Sequence, residues 1–336
     1  MRPGSLVERL TGRASSNAEQ PPVISSHAAV ALSVLCTLLY VVPLYLSPTS
    51  RPSPTLSRDA PSVIKYRVRA VMASCFICSA TALLWIASTA RATYLDALQL
   101  LGWWPISYAD ILRSLLLTSL LFMGLLFERG IAEGEWRNWV RLSYWIESLG
   151  DWVGWRNYVA GPITEEVIFR SIIVTLHLLA NVSPARIVFV SPLYFGIAHV
   201  HHFYEFKLTH AYTPLGPIIF RTVFQFIYTT IFGWYATFLY LRTGSLYAAI
   251  LVHAFCNCCG LPRLWGRVQV EMPIQVVIRG KEDGQTPSER IEYKQLGVSW
   301  TVAYYGILLV GTVAFWRQLW PWTDSPLALV FFPQSR

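Results

Sequence analysis

Eight apolar runs, separated by short polar segments, set the rhythm of this 336-residue chain. A helix needs about 20 apolar residues to cross a hydrocarbon core of ~30 Å. The runs at about 28–46, 70–90, 111–127, 157–180, 184–202, 216–241, 245–259 and 298–316 fall near that length. They predict an all-α fold, a polytopic membrane helix bundle with about eight transmembrane helices. Arg113 lies near the start of the third run, where a long side chain can reach the interface, and Pro184 suits the first turn of the fifth. The first run starts too late and is too long to be the core of a secretory signal, and no small-x-small cleavage pattern follows it, so it reads as a true span. The polar, Ser-rich segment 1–27 reads as a flexible N-terminal tail, 28–316 as the transmembrane helical domain, 261–296 as a soluble loop within it, and 317–336 as a C-terminal tail.

Composition agrees with this pattern. Of the residues, 54% are hydrophobic and 14% charged, with 14 Trp, far from the average soluble domain. The net charge of +8 is mostly a topology signal. Lys and Arg concentrate in the odd-numbered loops, notably Arg51, Arg58, Lys65, Arg67 and Arg69 in the first and Arg129, Arg137, Arg141 and Arg156 in the third. The positive-inside rule then puts the odd loops in the cytosol and both termini on the far side. No basic stripe interleaved with aromatics appears, so a nucleic-acid partner is not expected; membrane lipid is. Cys36, Cys75, Cys78, Cys256, Cys258 and Cys259 all fall within predicted spans, which argues against a disulfide framework. Cys75 and Cys78 form a C-x-x-C without the second pair that a zinc site needs.

The stretch GPITEEVIFRSI, residues 161–172, breaks the apolar rule of its run with two carboxylates and an arginine. A charge at membrane depth costs at least ~2.5 to 3.5 kcal/mol, so such residues face a protein interior or a wet cavity and act there. Glu166 and Arg170 are four apart, the spacing at which helical side chains pair. Glu165 points about 100° away around the axis and is left without a base. An acid of that kind can be polar glue between helices, or it can take up a proton as a general base. The next runs supply possible partners. FGIAHVHHF places His199 and His202 on one face of a helix, with His201 turned away, and HAFCN places His253 and Asn257 on one face of another. His177 stands alone among apolar residues as an ordinary core histidine.

Three helices each presenting polar side chains on one face is how helix bundles build sites. No G-x-S-x-G is present, and the cysteines at 256, 258 and 259 lack a defined base, so nucleophilic acyl transfer is a poor fit. Non-covalent hydrolysis of a carbonyl fits better. Glu165 would take a proton from a water held by His199, while His253 and the Asn257 amide donate to the developing oxyanion. H-E-x-x-H is absent and Glu166 is matched by Arg170, so neither a metal nor another cofactor is expected. Two rival readings are a membrane scaffold and a proton-coupled transporter, but the internal repeats usual in transporters are missing.

EEVIFR (165–170), FGIAHVHH (195–202) and HAFCN (253–257) together resemble the E-E-x-x-x-R, F-x-x-x-H and H-x-x-x-N motifs of the ABI-type glutamate intramembrane endopeptidases. The F-G-x-A-H-x-H-H and H-x-x-C-N forms are similar to the eukaryotic branch, the Ras-converting type II CAAX endopeptidases. Each motif alone is weak, but all three occur in order, each on its own span, between about 155 and 260. The resemblance implies an endoplasmic-reticulum enzyme that removes the last three residues of farnesylated or geranylgeranylated CAAX proteins, Ras-like small GTPases among them. It also implies roles by position. Glu165 would be the water-activating glutamate, His199 its partner, His253 and Asn257 the oxyanion pair, and Glu166, Arg170 and His202 supporting residues. An active site open to the cytosol follows from Arg156 and the start of the fourth span lying on the odd-loop side.

Overall fold

The computed structural model describes residues 22–89, 92–276 and 288–332, and shows α-helices joined by short connections with one two-stranded sheet. Most of the expected N-terminal tail and the charged middle of the 261–296 loop lie outside the described residues.

All eight predicted apolar segments are helical. Helix α1 (Ser26–Leu46) starts where the Ser25 hydroxyl accepts from the Ala28 amide, as an N-cap should. Helix α2 (Pro61–Thr89) begins earlier than hydropathy alone suggests, so Lys65, Arg67 and Arg69 ride on its first turns rather than in a loop. With Leu215–Thr243 and Val298–Trp322, these are the four helices among the described residues that are long and apolar enough to span a membrane alone. The third run is a fifth candidate, but it is not straight: Tyr108–Leu121 and Met123–Ala132 meet at 77°. Outward-facing Phe76 and Ile77 on α2 and Phe220 on Leu215–Thr243 suit contact with lipid rather than water. Three short helices, Tyr94–Leu100, Trp136–Trp139 and Leu142–Gly150, lie in stretches expected to be loop.

Contacts divide the chain into two units. One comprises residues 1–115, 148–258 and 321–336. At its centre runs a continuous helical stretch, residues 152–179, started by Asp151 accepting from the Val153 and Gly154 amides and containing π-type turns at Arg156–Ala160 and Val167–Ile172. Every residue from 166 to 180 is buried. A helix apolar on all sides belongs inside a protein, and here the stretch packs against α1, α2 and Pro184–Ala198. Tyr94–Leu100, capped by Thr93 and Asp96, ends against it. The Leu100 carbonyl accepts from Tyr240 and Thr175, and the Leu101 carbonyl from Ser171, which satisfies groups a helix terminus leaves unpaired.

Pro184–Ala198 and Leu215–Thr243 approach closely because small residues face each other. A Cβ on Gly233 would sit 2.6 Å from Pro192 Cβ, and one on Gly196 would collide with Thr230. Residues 323–332 pack back onto this unit: the Leu329 amide donates to the Leu241 carbonyl at 2.9 Å.

The other unit comprises residues 116–147 and 259–320. Part of the expected soluble loop forms an antiparallel hairpin, Gln269–Val276 with Ser288–Gln295. Arg263 reaches Glu128 at 2.8 Å, and Tyr304 donates to the Arg263 carbonyl.

Candidate active site

Glu165, Glu166 and Arg170 occupy the middle of the central helical stretch. The Glu166–Arg170 ion pair expected from their spacing forms at 3.1 Å, with both side chains at most 1% exposed. The guanidinium also lies over the rings of Phe195 at 4.6 Å and Phe232 at 5.5 Å, which replaces part of its lost hydration by cation–π attraction.

Glu166 does more than the sequence indicates. Its second oxygen accepts from His253 Nδ1 at 2.7 Å, so one buried carboxylate bridges an arginine and a histidine from a helix 87 residues away. That bond orients the ring and directs Nε2 toward Glu165, 3.6 Å from its Oε2. With Nδ1 committed to Glu166, Nε2 donates a hydrogen bond only when the ring carries both protons. Phe232 flanks the same ring at 4.5 Å. Glu165 retains 20% of its side chain exposed, onto a cavity of about 180 Å³. It is thus the acid of the pair that can meet water.

His199 also faces this cavity. Its Nδ1 donates to the Phe195 carbonyl at 2.8 Å, which leaves Nε2 as an acceptor in the neutral ring. The expected unbroken helix to residue 202 does not form. Pro184–Ala198 ends at His199, and a new helix, His201–Thr209, starts two residues later. His201 is consequently not turned away; it lines the cavity with His199 and His202 and pairs with the Tyr45 hydroxyl at 2.6 Å. Asn257 reaches the cavity from Leu246–Cys259, its amide donating to the Asn157 carbonyl at 2.9 Å and keeping a second N–H. His177 sits apart in the core, bonded to the Ile173 carbonyl.

Several residues here escape motif reasoning. Tyr40 lines the cavity and lies 3.2 Å from the Thr164 hydroxyl. Glu205, three residues after His202 and so on its face of the helix, accepts from His202 Nδ1 at 2.9 Å and pairs with Arg67 at 2.8 Å and Arg58 at 3.5 Å. Burial opposes its ionisation, but the His202 hydrogen bond and the two guanidiniums hold Glu205 well below the usual carboxylate range. His201, His202 and Glu205 offer metal-ligand atoms within 4.8 Å of one another. Their carboxylate is already matched by two arginines and one histidine is bound to Tyr45, a poor donor set for a cation.

A family model described as Type II CAAX prenyl endopeptidase Rce1-like matches residues 147–259, the segment carrying Glu165, Glu166, Arg170, His199, His202, His253 and Asn257. The probable CAAX prenyl protease 2 of Schizosaccharomyces pombe is 35% identical over 293 residues, 87% of this chain and 93% of that protein. The chain belongs to the Rce1-like type II CAAX prenyl endopeptidases. CAAX prenyl protease 2 of Homo sapiens is 36% identical over 241 residues, 69% of each chain, and that of Saccharomyces cerevisiae 27% identical over 313 residues, 86% of this chain and 94% of the yeast protein. No solved structure matches significantly. In this Rce1-like endopeptidase the cavity brings together an acid that meets water, Glu165, an imidazole whose Nε2 is an acceptor, His199, and the side-chain amide of Asn257.

Proposed function

We propose that this protein is an intramembrane endopeptidase that removes the C-terminal tripeptide from prenylated CAAX proteins, Ras-like small GTPases among them, in the endoplasmic-reticulum membrane. The observation that carries this reading is His253, held by Glu166 and aimed at Glu165 beside the cavity that His199 and Asn257 also line. Glu165 takes one proton from a water that His199 orients, and the hydroxide oxygen bonds to the scissile carbonyl carbon. The free Asn257 N–H, and His253 Nε2 when the ring carries both protons, stabilise the oxyanion, a contribution of ~3 to 4 kcal/mol per donor in known cases. As the intermediate collapses, the carbon–nitrogen bond breaks and Glu165 returns its proton to the departing amine. Arg170 pairs with one oxygen of Glu166 while the other accepts from His253.

Residues of the first and third loops, Arg58 and Arg156, meet at the cavity, beside His202 at the end of the fifth run. These are the loops expected in the cytosol, so a peptide tail entering from that side reaches Glu165 while its prenyl chain stays against lipid. The test is cleavage of a farnesylated CAAX peptide by the purified protein in lipid, with and without a strong zinc chelator, beside Glu165→Gln. Tripeptide release that survives chelation and vanishes in the variant supports the scheme. Loss on chelation would assign the histidines to a metal, and no cleavage by a folded protein would reject the protease reading.

A further inference from the structure

One end of the cavity gathers three arginines. Arg58, Arg67 and Arg156 all line it. Facing them are two carboxylates: Glu205, which pairs with Arg67 and Arg58, and Asp59, which lies 2.7 Å from Arg156 and 3.8 Å from Arg58 and is itself half exposed. At this end of the cavity three guanidiniums thus stand against two acids, and the carboxylate that lines the cavity itself, Glu165, lies nine residues along the helix from Arg156.

The three arginines are not equally committed. Arg67 is used up by its neighbours, with Nε and Nη2 donating to the Ser50 carbonyl and Nη1 at 2.8 Å from Glu205. Arg58 makes only long contacts, and Arg156 spends Nε on Asn157 and Nη1 on Asp59. The Nη2 group of each makes no hydrogen bond among the described residues. Burial lowers the Arg58 guanidinium from its usual value, and Arg156 and Arg67 add to that, so an arriving anion would relieve an unfavourable field.

Position along the helix suggests which anion. Arg156 and Glu165 lie nine residues apart on one continuous helical stretch and both face the cavity, an axial rise of roughly 13 Å. Three extended residues span about 10 Å, which the two side chains can bridge. On the protease reading above, on which this step rests, the tripeptide to be released ends in a free carboxylate three residues from the scissile carbonyl. We propose that Arg58 and Arg156 bind that terminal carboxylate and so measure the cut from the chain end, with Arg67 and Glu205 holding Arg58 in place. A guanidinium fork suits a carboxylate better than a point charge does.

The experiment compares two farnesylated peptides that differ only at the last atom group, a free carboxylate against a carboxamide, using the full chain in lipid. With wild type, the acid peptide should show a KM lower by roughly ten- to hundredfold, the size of a lost charge-assisted hydrogen bond, and kcat should move little. Arg156→Gln and Arg58→Gln should raise KM for the acid and leave the amide nearly unchanged, and Arg156→Lys should restore part of the preference. A general pull of the arginines on anionic lipid would act equally on both peptides. Equal KM values for acid and amide in wild type would overturn the proposal, as would arginine variants that lower kcat while keeping the acid preference. If wild type cleaves neither peptide, the protease reading fails by itself. Equilibrium binding of the two peptides to the Glu165→Gln protein still judges the arginines, with equal binding counting against them.

Discussion

At the residue scale, the site is a chain of four groups, Arg170, Glu166, His253 and Glu165, in which only the last meets water. Glu165→Gln should lower turnover by roughly 10²- to 10⁴-fold, the range of a lost general base, with peptide binding retained; single-turnover kinetics beside a binding titration would separate the two. Arg170→Met leaves Glu166 buried with less compensating charge and should cost about 3 to 5 kcal/mol of stability, visible as a lower Tm in lipid. Glu205 gives a pH signature. Its folded-state pKa is depressed, so its stabilisation is complete above the ordinary carboxylate pKa and is lost as pH falls below about 4 toward the lower folded value. Thermal melts of wild type and Glu205→Gln should therefore differ most near neutrality and converge in strong acid. The Glu166–Arg170 pair was legible because it is local, four residues on one helix. The His253–Glu166 bond and the Arg58–Glu205 contact join residues 87 and 147 positions apart, and no periodicity encodes such a meeting.

Among the elements, hydropathy located the long apolar helices but not the breaks inside them. The run through His202 stays apolar enough to read as one helix, yet the chain turns at His199, and that turn brings His201 onto the cavity. The 77° bend after Leu121 is hidden for the same reason, since apolar residues continue on both sides of it. Tyr94–Leu100 is too short for a periodic signal, and its stability rests on hydroxyls from distant helices. The close approach at Gly196 and Gly233 sets where His199 and Phe232 stand. Gly233→Ala places a methyl against Pro192 and should destabilise by about 1 to 3 kcal/mol, with peptidase activity falling at temperatures where the fold persists. A melt and a cleavage assay on the same preparation would check both.

For the whole molecule, the fold class and the residues of the motifs follow from the chain itself, whereas the wrapping of one helix by the others does not. That wrapping has a consequence for biogenesis. The central stretch carries Glu165, Glu166 and Arg170, and two of the helices around it, Pro184–Ala198 and Leu215–Thr243, emerge from the ribosome after it. Placed alone in a bilayer, three charges near mid-depth would each cost at least ~2.5 to 3.5 kcal/mol, so the segment is a poor insertion substrate until later helices arrive to enclose it. A nascent chain truncated near residue 180 should leave this segment unintegrated, while one extended past residue 260 should integrate it, an order of assembly that glycosylation mapping of staged truncations would reveal.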